Sequence, residues 1–487
     1  MAAPGRGCDG AARRLVLHRT EAAKAQGQTG CDRADFFDRA GLPDHVHLRL
    51  GPDADAGLAQ FLPHGDGGGR RRVRSDDGLR HTGCAARRDR RHASGRGAGR
   101  LHHQLGRTAD TVSDLPIFVF GTLCHDALRD VVLGDASAVV AVPACLSDYR
   151  THWVEGQDYP MLVPTPGAQA DGLILDGLTD THRARLDFFE GGFGYDLNEV
   201  DVTSGGETRK ALRFQPDHDA RPGVAWRLSD WADLHAPLWV AAAREAMGYF
   251  GRVTGAELAA RMPLIRLRAA ARVRAEASLP ATLRSDMDRS ADIDVLATRQ
   301  PYIDYFAVGE VDLTFRRFNG TMSAPVTRAA FRMGDAVTVL PYDPVADTVL
   351  LVEQFRMGPY MRGDPKPWLL EPIAGRVDPG EAVETTARRE ALEEADLNVT
   401  NLHYVSGHYP SPGAVTEFIY AYVAEADLSA KDGTVAGLAS EAEDIRSHVI
   451  SFDHFMQLVE TGEVAAGPLV TSAYWLALNR ARLRGDA

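Results

Sequence analysis

Three glutamates, Glu390, Glu393 and Glu394, close the run Thr386-Ala-Arg-Arg-Glu-Ala-Leu-Glu-Glu394 at positions i, i+3 and i+4. On a helix that spacing puts all three carboxylates on one face, where like charges repel. A hard dication that takes carboxylate oxygens and keeps sites for water and phosphate relieves the repulsion, so Mg²⁺ is the expected cofactor, with Mn²⁺ as the alternative. A Glu-rich helix with nothing beside it is more commonly a solvated acidic face. Here the Gly-rich loop Asp378-Pro-Gly380 leads into the helix, and Arg389 stands beside the glutamates to offer charge-assisted hydrogen bonds. Such a site suits phosphate chemistry, since cleaving a pyrophosphate needs charge neutralisation, an oriented water and a group that takes its proton.

The stretch from Gly375 to Leu397 resembles the Nudix box almost position for position, with Gly375, Glu381, Arg389, Glu390, Glu393 and Glu394 at its required spacings. At ~6 to 7% per fixed residue, six together arise by chance on the order of once in 10⁷ starting points. The sequence departs from the pattern at Asp396, where the family has a glycine just past the helix. That position calls for a left-handed backbone, which Asp adopts more readily than most residues. The resemblance implies that Glu390 and Glu394 ligate metal together with the Ala374 carbonyl, that Glu393 assists catalysis, and that Arg389 holds the carboxylates in place.

From about Gln300 to Leu478 the chain is similar to the ADP-ribose pyrophosphatase family. The matching pieces are Phe318-Asn-Gly-Thr-Met-Ser323, Val352-Glu-Gln-Phe-Arg356, Trp368-Leu-Leu-Glu-Pro372, Ser411-Pro-Gly413 and Gly437 to Ile445. Pro412 lies about fifteen residues past the box, as in that family, which favours ADP-ribose as substrate. The resemblance further implies that Glu441 is the catalytic base and Glu443 an additional metal ligand. Arg328 and Arg356 would bind phosphates, because guanidinium forks suit phosphate geometry. Ser411 and Glu417 match positions that touch substrate in the family, sometimes across a dimer interface, so the resemblance implies a homodimer, and Tyr305 would stack on adenine. Thr327 stands where the family often has a second arginine, which leaves the adenosine contacts open. The expected partner is a nucleoside diphosphate sugar. GDP-mannose hydrolysis and a non-catalytic nucleotide sensor are the competing readings.

The elements that position these residues are legible in outline. Residues 286–487 alternate strands, one strongly marked helix, more strands and a closing helix, the order of an α/β/α sandwich. Residues 275–300, rich in Arg, Ser, Asp and Ala, read as a boundary before strands resume at Tyr305. Upstream, residues 114–285 open with the apolar strand Leu115 to Phe120 and a turn at Gly121. Further strands are expected near 138–143, 172–176 and 211–215. A helix capped by Ser229 should run toward Tyr249, and Thr254-Gly-Ala-Glu257 is a capping box for the next.

Phe118-Val-Phe-Gly-Thr-Leu123, Leu186-Asp-Phe-Phe-Glu190-Gly and Tyr195 make this region resemble the gamma-glutamylcyclotransferase-like superfamily, a mixed β-barrel/α fold. The resemblance implies Glu190 as general acid/base and the Gly121 and Thr122 amides as substrate donors. Phe120 replaces the family's usual Tyr, and a binding or dimerisation module is the alternative. Fusion of the two domains is similar to that in tellurite-resistance Nudix proteins.

Composition bounds the remaining possibilities. Residues 1–110 hold 19 Arg and 1 Lys against 12 Asp and 1 Glu, a charge of +7 that leaves −20 for the rest of the −13 chain. The negative remainder argues against nucleic acid as a general partner. Residues 1–113 show no sustained periodicity and read as disordered, or as GC-rich DNA translated in the wrong frame or from too early a start; a basic nucleic-acid arm is the third reading. The 5 cysteines all lie at or before Cys145, so no disulfide or zinc framework covers the second half. No apolar run reaches the length of a membrane span, and a cytoplasmic location without membrane partners is expected.

Overall fold

A computed structural model describes residues 114–193, 196–215, 220–277, 279, 281–437 and 443–485. The readings of the first 113 residues, of Tyr195 and of Glu441 lie outside the described residues.

Barrel formation begins with β1 (Ile117–Val119), whose three side chains are all buried. After a 3₁₀ turn and α1 (Asp126–Leu133) come the long strands β2 (Val140–Val154) and β3 (Pro160–Asp176). They pair antiparallel from Val140↔Asp176 to Trp153↔Pro160. Both run far beyond the short apolar patches visible in the sequence, because Pro143, Pro164 and Gly167 interrupt the alternation without ending the ladder. Next come α2 (Asp180–Glu190), β4 (Asp196–Ser204), β5 (Glu207–Gln215) and the short β6 (Pro222–Ala225). The order β3-β1-β5-β4-β2, with β2 returning to β3, closes a five-stranded barrel, and β6 adds to β2. This is the mixed barrel/α architecture expected from the sequence.

Three helices follow: α3 (Leu228–Leu234), α4 (Ala236–Met247) and α5 (Gly255–Ala275). The single helix expected from Ser229 is two, broken at His235, with Pro237 opening the second. Ser229 is not the cap: Arg227 occupies that position, and the Ser229 hydroxyl donates to Asp230 instead. Thr254 does form its capping box, accepting from the Glu257 amide while the Glu257 carboxylate accepts from the Thr254 amide. Trp231, Ala242, Ala243, Leu258 and Ile265 join the barrel's Leu128, Leu175 and Leu186 in one apolar core, so the helices are part of this domain's packing.

The short α6 (Arg289–Asp292) leads into β7 (Ile293–Ile303), β8 (Ala307–Phe315) and β9 (Val326–Arg332), a separate three-stranded sheet. Strands therefore resume about a dozen residues before Tyr305. β7 escaped the sequence reading because most of its side chains face solvent and carry no apolar alternation.

The main sheet has the order β14-β15-β10-β11-β17-β16. Its strands are β10 (Ala336–Asp343), β11 (Thr348–Phe355), β14 (Leu402–His408), β15 (Ile419–Glu425), β16 (Val435–Ala436) and β17 (Ile445–Ser451). β12 (Trp368–Glu371), which follows the short α7 (Met357–Arg362), pairs with β11; β13 (Ile373–Arg376) pairs with β10. On one face α8 (Val383–Ala395) seats Ala387, Ala391 and Ala395 against Val337, Val339 and Ile373. On the other, α9 (Phe452–Thr461) and α10 (Gly467–Arg484) cover Leu340, Tyr342 and Val423 with Phe455, Leu469 and Leu476. The result is the α/β/α sandwich the pattern predicted.

Candidate active site

The small side chains on α8 bring the helix close to the sheet, and that closeness places its carboxylates. Glu390 is 9% and Glu394 2% exposed. Glu394 Oε2 accepts the backbone N–H of Ala374 at 3.2 Å. Glu390 lies over Gly375 so tightly that a Cβ built there would stand 1.8 Å from Glu390 Oε1, so only glycine fits beneath this carboxylate. Arg389 organises the rim: its Nη1 donates to Glu390 Oε1 at 2.8 Å and Glu393 Oε2 at 3.0 Å, while Nε and Nη2 fork onto Glu381. The restraining role expected of Arg389 is therefore present in the geometry.

Burial pushes Glu390 up to about 7 and Glu394 up to about 8, and the charge of Glu443 adds to the rise at both. A cation placed between carboxylates desolvated together favours their charged forms. The oxygen donors of the buried Glu390 and Glu394 suit a hard, oxygen-preferring ion. Among the described residues no three acidic, His or Cys side chains converge as a ready-made cage, and Arg389 pairs with Glu390 and Glu393.

The other expected contacts divide. Arg356, at the end of β11, donates from Nε to Glu371 Oε2 at 2.6 Å, and its charge also reaches Glu394 and Glu417. Burial raises Glu417, with the charges of Arg376 and Arg356 opposing the rise and that of Asp335 adding to it. Tyr305 is 59% exposed and lies under the Arg376 guanidinium at 5.8 Å, which ties it to that neighbourhood. Ser411 is exposed on the loop after β14, its carbonyl accepting from the Ala414 and Val415 amides. Arg328 is not drawn in: it stands on β9 with Nη1 donating to the Thr327 carbonyl at 3.0 Å. Glu371 and Arg376 are the functional neighbours that sequence reasoning passed over. Each lay within or beside a matching segment, but neither has a spacing signal of its own.

A family model described as the NUDIX domain matches residues 332–471. The ADP-ribose pyrophosphatase of Escherichia coli (strain K12) is 40% identical over 195 residues, covering 40% of this chain and 92% of that protein. The chain belongs to the Nudix hydrolase family. The Haemophilus influenzae ADP-ribose pyrophosphatase is 38% identical to its Nudix domain over 195 residues, covering 40% of this chain and 89% of that protein. The GDP-mannose pyrophosphatase of Pectobacterium atrosepticum is 30% identical over 196 residues, covering 40% and 97%. A second family model, gamma-glutamyl cyclotransferase, AIG2-like, matches residues 117–233, the barrel and α3.

The barrel has a site of its own. A cavity of about 190 Å³ is lined by Phe118, Phe120, Thr122, Tyr159, Phe189 and Glu190, among others. Gly121 opens it with φ +75, a conformation suited to glycine, and a Cβ there would strike Pro160 at 2.3 Å. Burial raises Glu190 to about 7. Cys124 is held inert, its thiol pushed up to about 12 by burial. Among the described residues no helix is long and apolar enough to cross a membrane.

Proposed function

We propose that the Nudix domain hydrolyses the pyrophosphate bond of ADP-ribose, or a closely related ADP-sugar, to AMP and a sugar phosphate with Mg²⁺. The observation that carries this reading is the buried pair Glu390 and Glu394 over Gly375, held by Arg389. Pro412 and the higher identity to ADP-ribose than to GDP-mannose pyrophosphatases support the choice of sugar nucleotide.

In this mechanism Glu390, Glu394, Glu443 and the Ala374 carbonyl hold the ion. Bound Mg²⁺ supplies neutralisation of phosphate charge. Arg356 donates to a phosphate oxygen, with Glu371 fixing its guanidinium in place. Glu441 accepts the proton of the attacking water, and Glu393 assists beside Arg389. Ser411 acts as an outer substrate contact, Tyr305 offers a stacking face, and Glu417 closes the cleft. A cytoplasmic homodimer formed through the Nudix domain belongs to the same reading.

The test is AMP release from ADP-ribose with and without chelator, for the wild type and Glu394→Gln. Turnover should vanish in both the chelated and the substituted samples while circular dichroism stays unchanged. Substantial activity in Glu394→Gln would overturn the assignment, and a preference for GDP-mannose would redirect its substrate.

A second reading concerns the barrel, where a raised carboxyl faces Thr122 inside a cavity. We infer that this domain releases 5-oxoproline from a gamma-glutamyl amine, with Glu190 shuttling the proton and the Gly121 and Thr122 amides as donors. Glu190→Gln should remove 5-oxoproline formation and spare pyrophosphate cleavage.

A further inference from the structure

The C-terminal half of α5 leaves the barrel's core and runs against the Nudix sheet, where it carries a concentration of arginine that neither proposed reaction uses. Arg268 and Arg332 both donate to Glu245, at 2.6 and 2.7 Å, and Arg274 donates to Asp335 at 2.7 Å. Those two carboxylates answer three guanidinium groups. Arg272 and Arg289 have no carboxylate within 4.0 Å among the described residues. Burial disfavours the charged form of Arg272, and the neighbouring Arg289, Arg244 and Arg332 disfavour it further, against the favourable charge of Glu276. A chain that is −13 overall thus gathers more guanidinium groups than paired carboxylates at one internal junction.

The charge faces a space. Arg268, Arg272, Arg274, Arg289 and Arg332 line a cavity of about 940 Å³ between α5 and the Nudix sheet. Tyr404, Tyr409 and Phe418 give the same lining an aromatic part, with Tyr409 edge-on to Phe418 at 5.0 Å. Tyr404 and Tyr409 keep 55% and 44% of their surface open. None of Glu390, Glu393, Glu394, Glu443, Arg356 or Glu417 lines this space, so it is separate from the carboxylate cluster.

We propose that this junctional cavity is a second binding site, for a nucleoside phosphate. Guanidinium forks recognise phosphate oxygens in pairs, and a bound anion would offset the excess of guanidinium groups over carboxylates. The aromatic part offers a planar ring a stacking face. The volume lies within the usual range for small-molecule sites. The loop that joins β14 to β15 contributes Pro412 and Thr416 to the lining and carries Ser411 and Glu417 at the proposed hydrolytic cleft. A ligand here therefore bears on the barrel's helix, on β9 and on that loop together.

Titration calorimetry of the full chain with AMP, adenosine and inorganic phosphate tests the site, run on the wild type, Arg272→Gln/Arg289→Gln and Arg356→Gln. AMP should bind more tightly than adenosine or phosphate alone. The double variant should weaken one AMP site about tenfold or more, while Arg356→Gln leaves that site within about twofold. Loss of all AMP binding in Arg356→Gln, with the double variant unaffected, would place the nucleotide only in the hydrolytic cleft and overturn the proposal. So would a double variant whose sole change is in oligomeric state, which would make the cavity a seat for a second copy. Should the double variant fold poorly, Tyr409→Ala in the aromatic part of the lining gives the same reading: selective loss of AMP over phosphate supports the site, and unchanged AMP affinity removes it. The result is independent of hydrolysis, because an inactive Nudix domain would still show or lack this site.

Discussion

At the scale of single residues, the hydrolytic cleft depends on one missing Cβ. With Glu390 Oε1 only 1.8 Å from where the Gly375 side chain would begin, alanine there must push the carboxylate aside. The helix is anchored by its alanines, so the fold should survive while the ligand geometry does not. Displacements on the order of 1 Å at a reacting centre cost about a hundredfold in rate, and Gly375→Ala should lose about that much in kcat and need more Mg²⁺ for half-maximal activity. A variant with wild-type kcat and metal requirement would show that Glu390 has no positional role. Glu190 gives a different kind of signal, because its carboxyl is raised from 4.5 to about 7 by burial. A folded-state value above the unfolded one stabilises the fold at low pH. That stability is fully present below pH about 4.5 and is lost as pH rises toward 7. Glu190→Gln removes the ionisation, so relative to wild type it should gain stability at pH 8, by at most on the order of 3 kcal/mol, and gain little at pH 5. Melting curves of both proteins at the two pH values check this, and an equal difference at both would mean that Glu190 does not titrate in that window.

At the scale of elements, α8 shows how far sequence reaches. Its carboxylate face and the left-handed residue that ends it were both readable, and Asp396 adopts φ 49 and ψ 43. Lys431 donates to the Asp396 carbonyl at 2.6 Å and to its carboxylate at 3.1 Å, which offsets part of the strain of a side chain in that conformation. Asp396→Gly should therefore change stability by under about 1 kcal/mol, whereas Asp396→Val, branched at Cβ, should cost about 1–2 kcal/mol or more. Chemical denaturation measures both, and equal costs would refute the backbone argument. Local signals such as this cap and the Thr254 box survive folding because their partners lie within a turn. β7 was invisible because a solvent-facing edge strand carries no apolar code, and the true lengths of β2 and β3 were hidden because ladder pairing overrides prolines and glycines. The candidate site divides in the same way. Glu390, Glu393 and Glu394 were fixed by helical spacing. The Glu371 and Arg376 contacts depend on strands meeting across the sheet, and Arg328 shares a sequence neighbourhood with the site's family but not its cleft.

At the scale of the whole described structure, the barrel and Nudix domains are joined by buried charge. Glu245 on α4 is 3% exposed and accepts from Arg268 on α5, from Arg332 at the end of β9, and from the Tyr249 hydroxyl at 2.7 Å. One carboxylate thereby fastens two helices of the barrel domain to the strand that leads into the Nudix sheet. A buried pair adds little net stability over an apolar replacement, but removing one partner strands the other and costs about 3–5 kcal/mol. Glu245→Ala strands two guanidinium groups, one of them with only 5% of its side chain exposed, and should reach that range in urea denaturation. Arg332→Ala should cost less, because Glu245 keeps Arg268. The two variants also separate fastening from mere local packing. If the clamp couples the domains, Arg332→Ala should split a single unfolding transition into two while each domain keeps its own core; if Glu245 serves only the barrel, Arg332→Ala should leave the transition single and nearly unshifted.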